Sequence, residues 1–296
     1  MEISGSIAQF FYLILTFMGF NFLLHQEGSD ASMWKVTSAD GVEIYFLEDE
    51  AQTKHAEFKN LNTVLVEADI ELLQNHNSDL YVQQALYEEG NNLKKEITNQ
   101  TYKKLEQKTG TLGLPLNAVE NLKPWFVAGI LQAHELKDIE DDFFQRMNSL
   151  QQDLKKQGKK VQPLESPDFQ KQLFSELSPK DQIQFLNYAL ETDPVYLKPL
   201  LQIFSSETKR DPVKLKQMKA KTIPLPENLY RSLISKRHRH WVDEIEKVAQ
   251  QEKSFLVILN PGHLQDAGSL MQQLKDRGFK VEKINAAVRA AGKTSK

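Results

Sequence analysis

Phe255-Leu256-Val257-Ile258-Leu259-Asn260-Pro261-Gly262-His263-Leu264 is an apolar run too short for a helix, halted by a Pro-Gly turn that delivers a histidine. Such a run reads as a buried strand closed by a turn. Val42 to Leu47 repeats the pattern and stops at Glu48-Asp49-Glu50-Ala51. The residues after each turn have helical character, so both turns sit at the carboxyl end of a strand, the edge where open α/β sheets place their ligands. His263 occupies the second turn, and Ala51 stands at the equivalent place in the first.

Near the start of the chain, Met33 to Val36 pairs with Val42 to Leu47 through Ala39-Asp40-Gly41, an Asp-Gly hairpin signal. Asn62 to Glu67 and Lys160 to Glu165 read as further strands, each ending in a carboxylate, and Lys280 to Ile284 as a last one. Between them, Leu72 to Lys156 and Ser235 to Gln251 carry apolar residues at three- and four-residue spacings. Ser178-Pro179-Lys180-Asp181 is a helix start, with a capping Ser and Pro at the first helical position. Strands cluster at both ends of the chain. The expected fold is therefore α/β, one sheet built from strands of both chain ends, with a helical insertion (about 70–157 and 166–252) covering one side.

Size and charge narrow the classes. A chain of 296 residues can bury a large core. A net charge of −3 leaves no basic field for nucleic acid. With no cysteine, a disulfide framework, a cysteine nucleophile and thiolate metal sites are excluded. Ile7 to Leu24 carries no charge, and Ser29-Asp30-Ala31 has small residues where a signal peptidase would inspect the chain. Residues 1–31 are thus expected to be a signal peptide or an N-terminal membrane anchor, which makes the protein exported or membrane-attached. An ordinary core helix is the weaker reading, because no polar position gives the segment an amphipathic face. The domain proper would span 32–285, with a loose tail at 286–296.

The groups able to do chemistry at the strand ends are Glu48, Asp49, Glu50, Glu67, Glu165 and His263. Oxygen and nitrogen ligands converging from several strand ends, with one position open for water, are what a hydrolytic metal site needs. Single acids in loops are more often solvated. His238 and His240 lie two apart on a helix and face different ways, and no His-Glu-x-x-His zinc motif is present. Within Lys236-Arg237-His238-Arg239-His240, a solvated basic face is expected for most members. Arg237, flanked by Leu233 and Trp241, is the one able to turn inward and fork onto a carboxylate or a developing oxyanion.

Taken in order, Met33-Trp34-Lys35-Val36, Val64-Leu65-Val66-Glu67-Ala68-Asp69, Lys123-Pro124-Trp125, Gly158 to Val161, Leu164-Glu165, Arg237 to Trp241 and Asn260 to Leu264 resemble the TraB/GumN family, which includes the animal Tiki proteins. The resemblance implies an α/β fold with a helical cover, and a metal-dependent peptidase using manganese or cobalt. It carries Glu67, Glu165, Arg237 and His263 onto family positions. The family's first Gly-x-x-His is replaced by Glu48-Asp49-Glu50-Ala51, the leading Gly of the second by Asn260, and an Asn after the Arg by His238.

Two readings are open. In the first, a divergent hydrolase of peptides or proteins, Glu48 or Glu50 replaces the missing imidazole beside the metal ligands Glu67 and His263, with Glu48 the expected ligand, while Glu165 and Arg237 serve catalysis. In the second, the chain is a non-catalytic descendant that binds a partner. Membrane contact, in either case, would run through Ile7–Leu24.

Overall fold

Gly41 adopts φ 83°, a left-handed conformation that costs glycine nothing, and closes the turn between β1 (Met33–Thr37) and β2 (Glu43–Leu47). The two strands pair antiparallel, with Trp34 opposite Phe46. The computed structural model describes residues 7–24, 33–47, 58–77, 79–192, 223–260, 263–264 and 269–284. Glu48 to Ala51, Pro261-Gly262 and the expected tail at 286–296 lie outside them.

Four further strands complete the sheet: β3 (Thr63–Ala68), β4 (Lys160–Glu165), β5 (Ser254–Ile258) and β6 (Lys280–Ile284). Their order is β4-β3-β5-β2-β1-β6, so a strand from the far end of the chain is inserted between β3 and β2. β3 runs parallel to β4 and β5, and β5 parallel to β2, whereas β1 is antiparallel to both of its neighbours. Pro163 is tolerated because β4 is an edge strand. The carboxyl ends of β2, β3, β4 and β5 therefore share one edge.

Alternation along the strands sends residues to two cores. Leu65 and Val257 face Trp241, Val242 and Ile245 of α9 (Lys236–Ala249) and Leu270 and Leu274 of α10 (Leu270–Asp276). Val64, Val66, Leu256 and Ile258 face Leu150 and Leu154, near the end of α6 (Pro124–Lys156). Both sheet faces are covered, where a cover on one was expected. Sequential patterning could not show that α6 is long enough to leave the helical body and pass behind the sheet.

The rest of the insertion forms a helical body: α2 (Ile70–Asn75), α3 (Asp79–Ala85), α4 (Leu93–Glu96), α5 (Asn99–Thr111), the first half of α6, α7 (Pro167–Ser175) and α8 (Pro179–Glu191). A π-helical stretch, Tyr230–Ser235, runs directly into α9. Ile7–Leu24 is α1, and it packs into this body against α2, α6, α7 and the π-helical stretch. Phe11, Tyr12, Leu13, Ile14 and Leu15 are all buried. Its missing polar face is accounted for by this packing, since a helix that is apolar all round can be one buried all round. Among the described residues no helix is long and apolar enough to cross a membrane. Cleavage after Ala31 would remove α1 and every contact it makes.

Candidate functional site

Two strand ends turn straight into capped helices. After Glu67 and Ala68, Asp69 Oδ1 accepts from the amides of Glu71 at 2.9 Å and Leu72 at 3.2 Å, starting α2. After Glu165, Ser166 Oγ accepts from the Phe169 amide at 3.1 Å, starting α7 with Pro167 in its first turn. Gln151 of α6 clamps the first turn, donating to Ala68 O at 2.8 Å and accepting from the Ile70 amide at 3.2 Å. The two carboxylates are thereby fixed side by side at the edge the sequence singled out.

Arg237 lies between them. Its Nε and Nη2 each donate to Glu165 at 2.6 Å, a bidentate fork, and Nη2 also reaches Glu67 at 3.2 Å. Its guanidinium carbon sits 4.4 Å from the centre of the Trp241 ring, in cation–π contact. Arg237, His238 and His263 are 0% exposed, Glu67 1% and Glu165 3%, so the whole cluster is out of water.

The acceptors of both carboxylates and of His263 are engaged. Glu165 Oε1 takes Gln170 Nε2 at 2.8 Å besides Arg237, and Oε2 takes Trp241 Nε1 at 2.9 Å. Glu67 Oε1 accepts from both the amide and the side chain of Asn260, at 2.6 and 2.8 Å, and Oε2 from the Tyr12 hydroxyl at 3.4 Å. His263 Nδ1 lies 2.8 Å from His238 Nε2, and His263 Nε2 lies 3.5 Å from Arg237 Nη1. Arginine only donates, so His263 Nε2 is the acceptor, and its Nδ1–H donates to His238.

Burial sets the charges. Desolvation holds the His263 imidazole well below its usual range, and the neighbouring Arg237 cation adds to this. His263 is therefore neutral and makes no ion pair with Glu67, although Nε2 stands 3.9 Å from its carboxylate. Desolvation raises Glu67 against the opposing pull of Arg237 and of the Asn260 amide. Burial alone would lower Arg237, but Glu165 and Glu67 outweigh it and hold the guanidinium charged.

The donors of this cluster among the described residues do not fit a divalent ion. Such an ion needs several oxygen or nitrogen ligands with lone pairs directed at one point. Here the guanidinium fills the space between the carboxylates, and the last imidazole lone pair faces it. Among the described residues no group of three or more His, Asp or Glu side chains is arranged to hold a metal. Glu48, expected as a ligand, lies outside the described residues, as do Glu50 and Ala51.

The structure thus brings Glu67, Glu165, Arg237 and His263 into one cluster. It also adds residues that sequence reasoning missed. His238 was expected on a solvated face and is instead buried against His263; its place three residues before Trp241 and four before Val242 puts it on the buried stripe of α9. Asn260 and Gln170 lie close in sequence to expected site residues. Nothing local announces Tyr12, which is 55 residues from Glu67.

A mixed sheet whose parallel strands carry a buried acid–arginine–histidine cluster at their carboxyl edge, under a helical body, defines the class of this protein. Residues 32–283 match the TraB/PrgY/gumN family, and the chain belongs to that family. No curated protein and no solved structure matches it.

Proposed function

We propose that this chain is a non-catalytic member of the TraB/PrgY/gumN family, a binding or regulatory module in which the polar cluster serves as an internal lock. The observation that carries this reading is where the departures from the family pattern fall. Asn260, in place of a glycine, supplies the side-chain donor to Glu67 Oε1, and His238, in place of an asparagine, engages His263 Nδ1. The replacements thus take up the groups that a reaction would need free. A general base must reach the proton it abstracts, and a developing oxyanion must reach its donors. In this cluster the carboxylates, the guanidinium and the His263 imidazole are turned onto one another and onto their protein neighbours.

The reading is tested by assaying the full chain for hydrolysis of a mixed peptide library with and without Mn²⁺ or Co²⁺, beside Glu67→Gln and His263→Ala. No turnover above blank is expected in any sample. Metal-dependent cleavage that disappears in both variants would establish the hydrolase reading instead. That second reading is favoured by one observation, the convergence of Glu67, Glu165, Arg237 and His263 at the sheet edge where α/β proteins place ligands. It further requires Glu48 or Glu50 to reach the cluster.

A further inference from the structure

The matched family segment begins at residue 32, so α1 lies outside it, and all six strands of the sheet fall within 33–284. Yet α1 fills a groove in the helical body. Phe11 is its anchor. The ring stacks on Tyr81 at 5.4 Å between centroids and meets Trp125 at 5.2 Å, Phe126 at 5.9 Å and Phe174 at 4.7 Å. The floor of this cage is Gly129 of α6, where a Cβ would stand 2.8 Å from Phe11 Cζ and 2.9 Å from Cε1. Glycine at that one place opens a hole into which a single aromatic side chain projects. The next residue, Tyr12, donates to Glu67 and lies 5.9 Å from the Arg237 guanidinium carbon, joining the anchor to the polar cluster.

An aromatic knob in a desolvated pocket, carried on an uncharged helix laid along a groove, is the anatomy of helix-in-groove recognition. We propose that the groove lined by α2, α6, α7 and the π-helical stretch, with Tyr81 of α3 closing the Phe11 cage, is a receptor for an apolar helical segment with an aromatic anchor, and that α1 is its resident occupant within the same chain. The inference rests on the non-catalytic, binding reading above and names the chemistry of what is bound. The polar cluster forms one wall of the receptor and reads the hydroxyl of the residue after the anchor. A tethered occupant competes at an effective concentration on the order of mM, so a free helix enters only once the tether is cut or the segment withdrawn.

The test keeps the full chain. A protease site is placed between residues 25 and 32, the protein is folded and then cut. A fluorescent synthetic peptide carrying residues 5–26 and a C-terminal lysine tail is added. Uptake is followed by anisotropy, with the Phe11→Ala peptide and the uncut protein as controls. The expected result is that cut protein keeps its fold, exchanges its own α1 for the probe, and binds the Phe11→Ala peptide at least about tenfold more weakly, while uncut protein takes up little. Absence of uptake by cut protein would overturn the proposal. Equal binding of both peptides would do the same, showing only apolar adhesion. Unfolding on cutting would also overturn it, since α1 would then be an inseparable part of the core. Because uptake is read without any turnover assay, its failure is distinct from the failure of the non-catalytic reading.

Discussion

Replacing Arg237 with Met removes a cation from between two carboxylates that have no access to water. Met approximates the length of the side chain, so the packing against Trp241 is largely kept and the electrical loss dominates. Glu165 loses two 2.6 Å hydrogen bonds and Glu67 loses one at 3.2 Å. Breaking a buried ion pair from one side costs about 3–5 kcal/mol, because the remaining charge is left uncompensated. Against a typical total of about 5–15 kcal/mol, the variant should be severely destabilised at pH 7. The loss should depend on pH in a defined direction. Burial already raises the Glu67 carboxyl, and without Arg237 the cation no longer opposes that rise, so its contribution is intact below about pH 4.3 and is lost as pH rises through the folded value. The gap between parent and Arg237→Met should therefore narrow in acid. Adding Glu165→Gln should recover part of the loss, since it removes one unpaired charge while an amide oxygen still accepts from Trp241 Nε1. Urea and thermal unfolding, followed by tryptophan fluorescence at pH 4.5 and pH 7, measure this. A loss below about 1 kcal/mol, or one that does not change with pH, would refute the view of the cluster as a lock.

Other outcomes rest on single contacts. His263 is held neutral, so it contributes stability that is present above about pH 6.5 and lost as pH falls below it, by up to about 1.4 kcal/mol per unit. His263→Asn should flatten that part of the stability–pH curve, and an unchanged slope would contradict the assignment. Asn260→Gly, which restores the family residue, deletes the 2.8 Å side-chain bond to Glu67 but keeps the backbone one, and should cost about 1.5–3 kcal/mol by thermal unfolding. Gly129→Ala would stabilise an ordinary helix by about 1 kcal/mol. Here it meets the Phe11 ring, and overpacking of about 1–3 kcal/mol should leave the variant less stable by calorimetry. A more stable Gly129→Ala would mean that Phe11 does not occupy the cage.

The strands were legible in the sequence because each is a short apolar run closed by a turn or a carboxylate. The Asp40-Gly41 hairpin and the Val257 strand emerged within a residue of their expected bounds. The neighbours in the sheet were less so: nothing local reveals that β5 slips between β3 and β2. At the site, Arg237 was found because Leu233 and Trp241 on either side mark a buried face, and the same wheel extended by one position would have found His238. Tyr12 was unreadable for a different reason. An uncharged apolar helix looks alike whether it faces lipid, is removed, or is packed in a core, and the residues this one touches, Phe174, Trp125 and Glu67, lie far along the chain.

If the donors of the family site are turned onto one another, no ligand set is left for a divalent ion. The metal content of the full chain after Mn²⁺ loading and desalting, beside His263→Ala, reads this out. Substoichiometric metal, indistinguishable between parent and variant, is expected. Near-stoichiometric metal in the parent that is lost in His263→Ala would overturn the lock, and would return the protein to the metal-dependent hydrolases that its family resemblance implies.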